Sequence, residues 1–236
     1  MIGVILAAGD GTRLKKSTGQ DICKALKLVN GKHLIEFALN NLIALDITEA
    51  CIVVGKQGDL VKETFGDKYK SINIHYVYQS EQKGLMNAFA VALNDINCDE
   101  TVVLQLSDEI FVDLKSEAIK NSIENNDFDF YCGITFEEDI EKIKNNFSVE
   151  MNEDFSLVKC VEKPKVVINN IKGTGFTIFS AKALGIIKSH AELKDLCDSF
   201  NYLTENGFRG LALYVAEKEF NINTVEDLKE AESFLK

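Results

Sequence analysis

The chain has little of what several protein classes need. No apolar run approaches the roughly 20 residues that cross a bilayer, so no membrane-spanning helix is expected. No basic stretch precedes the apolar N-terminus, which therefore reads as a strand rather than a secretory leader. The three histidines, His33, His75 and His190, stand at no metal-ligand spacing, so zinc is not expected. The six cysteines (Cys23, Cys51, Cys98, Cys132, Cys160, Cys197) form no Cys-x-x-Cys pair and read as reduced thiols of a cytoplasmic protein. Cations are outnumbered, 26 Lys and Arg against 37 Asp and Glu, and the net charge of −11 argues against nucleic acid or an anionic membrane as partner. Repeats, low-complexity tracts and linkers are also missing, and 236 residues fit one domain, 1–236, with a sizeable core.

What is present is concentrated at the start. Met1-Ile2-Gly3-Val4-Ile5-Leu6-Ala7-Ala8 reads as a buried strand that empties into Gly9-Asp10-Gly11-Thr12-Arg13-Leu14. A glycine turn after a strand offers bare backbone N–H groups, and Arg13 adds a fixed cation, the parts that hold a polyphosphate. An ordinary tight turn is the competing reading of a bare Gly-x-Gly. Lys24 and the Val29-Asn30-Gly31-Lys32 turn, soon after, favour the phosphate site. A dinucleotide fingerprint would need a third glycine where Leu14 stands, and the Gly-Lys-Ser/Thr of a P-loop is missing. A polyphosphate on so acidic a chain would need local cations together with a divalent metal.

Strand-like runs recur at residues 3–8, 50–54, 72–78, 101–106 and 128–135. Helix-like segments at 34–45, 57–65 and 84–93 separate the first four, with Leu34, Phe37, Ala38, Leu42 and Leu45 at helical spacing. This alternation predicts a single Rossmann-like α/β domain with a mixed, mainly parallel sheet and helices on both faces. Ligands of such sheets bind beyond the C-terminal strand ends, where residues 9–13 and Ser107-Asp108 fall. The second half is less regular. It predicts a charged helix at 137–146, strands at 147–151 and 157–162 around an Asn152-Glu153-Asp154 hairpin, a strand at 173–179 and a helix at 181–189. A last helix, 226–235, is expected to be capped by Thr224 with Asp227 three residues on.

Leu6-Ala7-Ala8-Gly9-Asp10-Gly11-Thr12-Arg13-Leu14, followed by Lys24, resembles the signature loop of the nucleotidyltransferases that make nucleotide-sugars, sugar-1-phosphate thymidylyl- and uridylyltransferases above all. Matching motifs run through the chain, and the resemblance implies a nucleotide-binding half (about 1–125) and an acceptor-binding half (about 126–236). It implies transfer of NMP from an NTP to a phosphate monoester, with Mg²⁺ as cofactor and pyrophosphate released. Arg13 and the amides around Leu6, Ala8, Gly9, Gly11 and Thr12 would cradle the phosphates, and Lys24, carried by the loop 15–23, would neutralise the leaving group. Gln79 and Gly84, at the family spacing, would read the base, a pyrimidine being the natural guess (CTP, UTP or dTTP). Leu104-Gln105-Leu106-Ser107-Asp108-Glu109-Ile110-Phe111 resembles the family's Gly-Asp-Asn-Ile-Phe stretch, with Asp108 on the metal; Glu109 is expected to face solvent, assisting Asp108 being the other reading. Glu162-Lys163-Pro164, which holds the only proline, matches the acceptor motif, with Lys163 on the phosphate, Glu162 on polar groups and the Gly175 backbone close by.

The closing stretch has Asn221 where the family has an aspartate as second metal ligand, a neutral and weaker donor. Phe147-Ser148-Val149 and Gly173-Thr174-Gly175 replace Tyr-Gly-Val and Asn-Ala-Gly, so the acceptor is either a sugar 1-phosphate or a non-sugar phosphate. No acyltransferase or dimerisation extension is expected, and monomer and homo-oligomer both stay open. Two other classes compete. A nucleotide-sugar glycosyltransferase would want Asp-x-Asp where Ser107-Asp108-Glu109 stands, and a non-catalytic nucleotide sensor would explain Asn221.

Overall fold

The structure, a computed structural model, describes residues 1–9, 11–18, 23–81, 83–125, 127–190 and 192–236. Asp10 of the expected phosphate turn and residues 19–22 of the expected lysine-bearing loop lie outside them. β1 (Ile2–Ala7) is apolar at every position and buried from Gly3 onward, because neighbours flank both edges and helices cover both faces. α1 (Thr12–Thr18) follows, so the loop expected to start at Lys15 is helical through Thr18. A short 3₁₀ turn (Lys24–Leu26) and the hairpin of β2 (Leu28–Val29) with β3 (Lys32–His33) lead into α2 (Leu34–Ala44). The alternation continues through β4 (Glu49–Val54), α3 (Gly58–Phe65), β5 (Lys68–Tyr69), β6 (Ile72–Tyr78), α4 (Leu85–Leu93) and β7 (Val102–Leu106). β8 (Glu109–Val112) and α5 (Ser116–Asn125) close the first half.

The second half begins with β9 (Phe130–Phe136). The charged helix expected over 137–146 is confined to α6 (Ile140–Lys144). Its start is fixed by the Asp139 side chain, which accepts from the Glu141 N–H, while the Glu137 N–H is drawn to Asn170. β10 (Phe147–Met151), β11 (Leu157–Glu162), β12 (Ile171–Phe179) and α7 (Ala181–Ser189) follow as expected. α8 (Leu196–Glu205), β13 (Gly210–Tyr214) and β14 (Lys218–Asn221) were not foreseen. α9 (Val225–Phe234) is capped by Thr224 and Asp227 in a reciprocal box.

Ten strands form one mixed sheet in which β1, β4, β6 and β7 run parallel. β12 joins the halves. It runs antiparallel to β9 along one edge, and on the other meets β10 at its start and β7 at its end. Alternate residues of β1 enter opposite cores: Val4 and Leu6 pack beneath α4, α7 and α8, while Ile5 and Ala7 pack beneath α2, α3 and α5. Phe89, Phe130, Phe179 and Phe200 centre the first core, with the Phe130 and Phe200 rings stacked 5.4 Å apart. Outside the main sheet, β14 pairs antiparallel with β8, setting Asn221 opposite Glu109. Among the described residues no helix is long and apolar enough to cross a membrane.

Candidate active site

A cleft of about 480 Å³ opens at the C-terminal ends of β1, β6 and β7. Leu6, Ala8, Gly9, Gly11, Thr12, Arg13, Lys24, Gln79, Gly84 and Asp108 all line it, so the residues of the expected nucleotide half converge. They do so because parallel strands end on one side of the sheet: the glycine turn follows β1, Gln79 follows β6, and Ser107 and Asp108 follow β7. Gly11 holds a left-handed φ of 57°, and a Cβ there would come 3.2 Å from the Lys24 Cβ, so the turn packs directly on the lysine. Gly84 holds φ 103° at the start of α4, a conformation L side chains resist. Gln79 is nearly buried, and its Nε2 donates to Asn87 Oδ1 (2.9 Å), which leaves its carbonyl oxygen to serve as the acceptor.

A chain of polar side chains forms the floor. Lys24 pairs with Asp108 and donates to Asn223 Oδ1 (3.0 Å). Asn223 Nδ2 donates to Asn221 Oδ1 (2.7 Å), and Asn221 Nδ2 donates to Asn146 Oδ1 (3.2 Å). The closing stretch is anchored from below, since the Ile222 N–H donates to the Asp108 carbonyl (2.9 Å) and Asp227 accepts from the Asn223 and Thr224 amides. Asn223 and Asn146 were missed by the motif reading. Among the described residues no group of three or more His, Cys, Asp and Glu is arranged around a metal position.

Glu109 does not face solvent. It is 2% exposed, and both carboxylate oxygens accept from the Gly175 N–H (2.9 and 2.8 Å). The reason lies in β12, whose pairing with β9 shifts register between Gly173 and Thr177. An amide left out of the ladder there needs a partner, and β8 supplies it from below. Burial, then the Glu219 and Asp108 charges, hold the Glu109 carboxyl well above the usual carboxylate range, against the Gly175 N–H and Lys172.

The expected acceptor residues are placed differently. Glu162 ends β11 and pairs with Lys163, the next residue (3.2 Å), whose side chain is 67% exposed; neither lines the cleft. The Lys163 N–H donates to the Asn146 carbonyl (2.7 Å), which ties the motif to the floor at one remove. Gly175 lies behind Leu106, and a Cβ there would come 2.3 Å from Leu106 Cγ. A second cavity of about 220 Å³ shares Arg13 and Asn223 with the cleft and takes in Asn146, Asn221, Lys172 and Glu219. Lys172 and Glu219 are fully buried and ion-paired, and Glu137 stands 3.8 Å from the same ammonium. Burial pulls Lys172 down, but Glu219, Glu137 and Glu109 outweigh it and hold its pKa above the ordinary lysine value. The available signal was a lysine inside an otherwise uncharged strand.

A family model described as Nucleotidyl transferase matches residues 2–235. The UTP–glucose-1-phosphate uridylyltransferase AglF of Haloferax volcanii is 28% identical over 241 residues, spanning 100% of this chain and 96% of its own. A glucose-1-phosphate thymidylyltransferase of Neisseria meningitidis is 27% identical over 245 residues, spanning 100% of this chain and 82% of its own. Among solved structures, the inositol-1-phosphate CTP transferase of T. maritima shares the fold with a TM-score of 0.81, at 20% identity over 98% of this chain and 94% of that one.

Proposed function

The chain belongs to the nucleotidyl transferase family and is a nucleotidyltransferase; from that premise we propose that it transfers a nucleotidyl group from a pyrimidine nucleoside triphosphate to a sugar 1-phosphate, releasing pyrophosphate. One observation carries the reading: a single cleft at the parallel strand ends gathers the glycine turn with Arg13, the Lys24–Asp108 pair, and Gln79 with Gly84.

The nucleophile is a phosphate oxygen already charged, so the residues need only align two anions and balance the charge that leaves. The amides of Gly11 and Thr12 with Arg13 hold the outer phosphates, and Lys24 moves from Asp108 to the leaving pyrophosphate. The Gln79 carbonyl, fixed by Asn87, accepts from the N3–H of uracil or thymine, a donor cytosine lacks at that position. The relatives named for UTP and for thymidylyl transfer support the same choice. Asp108, one-fifth exposed, and the amide oxygen of Asn221 are hard oxygen donors of the kind Mg²⁺ takes when substrate phosphates and water complete its shell. Bound there, the ion supplies neutralisation of phosphate charge. Glu162 and Lys163 serve the acceptor from the rim, and the six free cysteines fit a cytoplasmic enzyme.

The test is pyrophosphate release with Mg²⁺, crossing ATP, CTP, GTP, UTP and dTTP with hexose 1-phosphates and with non-sugar phosphate monoesters. Release that requires UTP or dTTP together with a sugar 1-phosphate is the expected result. No release from any pair, with nucleotide still bound, overturns the reading in favour of a nucleotide sensor.

A further inference from the structure

One residue that lines the second cavity has a carboxylate oxygen that the protein leaves without a partner. Glu219 lines the cavity and is 3% exposed; its Oε2 pairs with Lys172, and its Oε1 is buried with no hydrogen-bond partner. A buried acceptor in that state costs free energy that a ligand donor would recover. Of the charges around it, Lys142 pairs with Glu230 (2.6 Å) and Asp227 holds the amides of Asn223 and Thr224. The charge count sets the kind of donor. Two carboxylates, Glu219 and Glu137, stand within 4 Å of the single ammonium of Lys172, so one carboxylate is left over. A hydroxyl would satisfy the oxygen and leave that excess. A protonated amine answers both.

Arg13 also lines this cavity and is shared with the phosphate cleft. Asn146 and Asn221 line it as well, and about 220 Å³ of space among these polar side chains suits a small, polar molecule rather than a nucleobase. We propose that the second cavity receives the organic part of the acceptor, that this part bears a protonated amine, and that Glu219 is the specificity-determining residue that binds it. The acceptor class is then an amino-substituted phosphate monoester, such as an amino-sugar 1-phosphate, with its phosphate toward Arg13 and its ammonium on Glu219 Oε1. This rests on the nucleotidyl-transfer reading above.

The experiment compares acceptors that differ only at the amine, using pyrophosphate release with the preferred NTP. Glucosamine 1-phosphate is set against glucose 1-phosphate and N-acetylglucosamine 1-phosphate, and phosphoethanolamine against glycol phosphate. The wild type is expected to favour an amine-bearing acceptor by about 10- to 100-fold in kcat/KM, the range of one charge-assisted hydrogen bond. Glu219→Gln is expected to abolish the preference through KM of the amine-bearing acceptor rather than kcat, with nucleotide affinity in the absence of acceptor unmoved. Equal or better use of the hydroxyl or acetylated counterparts by the wild type overturns the proposal, and that comparison needs no variant to fold. Retention of the preference in a folded Glu219→Gln protein overturns the role of Glu219. Silence with every acceptor, amine-bearing or not, overturns the transfer reading and this inference with it.

Discussion

Replacing Lys172 by methionine tests whether the buried cluster is as charge-starved as its geometry indicates. Lys172 is 2% exposed, and methionine keeps most of the stem's volume, so little of the effect comes from packing. The substitution leaves Glu219 buried beside Glu137 and Glu109 with no cation. Breaking a buried pair from one side costs about 3–5 kcal/mol. Glu219 can escape part of this by binding a proton, at about 1.4 kcal/mol for each pH unit by which solvent lies below its shifted pKa. In the wild type, burial already holds this carboxyl above its ordinary value, with Lys172 pulling the other way. Without Lys172 it rises further, the folded state holds a proton the unfolded chain has lost, and stability falls as pH rises above the ordinary carboxylate range. The deficit of Lys172→Met should therefore be small near pH 5 and reach the full value near pH 8. At about 2–4 °C per kcal/mol for a chain of this size, Tm should drop by roughly 6–20 °C at the higher pH. Urea unfolding followed by circular dichroism at both pH values measures it, alongside the double variant Lys172→Met/Glu219→Leu. The double variant should return to within ~1 kcal/mol of wild type or exceed it, since a buried pair replaced by apolar groups is neutral or stabilising. A deficit that is equal at both pH values, or a double variant no better than the single, refutes the reasoning.

Lys24→Ala and Asp108→Ala should each lower pyrophosphate release by about 100-fold or more, the loss expected for one charge aimed at a transition state; a folded variant within about threefold of wild type in kcat would remove that residue from the chemistry. Phe200→Ala, which opens the stacked phenylalanine core, should cost about 3–5 kcal/mol by urea titration, and a loss under ~1 kcal/mol would contradict the packing described. Gly175→Ala brings a Cβ 2.3 Å from Leu106 Cγ and 2.9 Å from Glu109 Oε2, so it should cost about 1–3 kcal/mol and raise the nucleotide KM, because Leu106 lines the cleft. Unchanged Tm together with unchanged KM would show that β12 yields without strain.

The parallel half of the fold was legible because each element there announces itself locally. β6 and α4 fell where an apolar run and helical spacing placed them, and strand ends followed by glycine or carboxylate marked the cleft. The second half was harder for a physical reason. β13 is short and takes its place in the sheet from β9, some 80 residues earlier, so its five residues do not advertise a core position. The same holds for the charges. Whether Glu109, Lys172 or Glu219 faces water or core depends on the register of strands far apart in sequence, and a single charged letter is read as exposed by default. The spacing of the Glu-Lys-Pro motif likewise did not tell where its side chains stand, which is outside the lining of the cleft.

The docking of residues 221–224 onto Asp108 and Lys24 has a consequence for how the molecule comes into being. The glycine turn, Lys24 and Asp108 leave the ribosome early, yet Lys24 meets Asn223 only across 199 positions of chain. At about 5–20 residues per second, the floor of the cleft waits on the order of ten seconds after Asp108 has been made. Through that interval Lys24 and Asp108 can find each other without their third partner, and the strand opposite β8 does not yet exist. The nascent chain therefore carries its glycine turn long before the floor of the cleft can form, and that floor is completed late rather than growing with length.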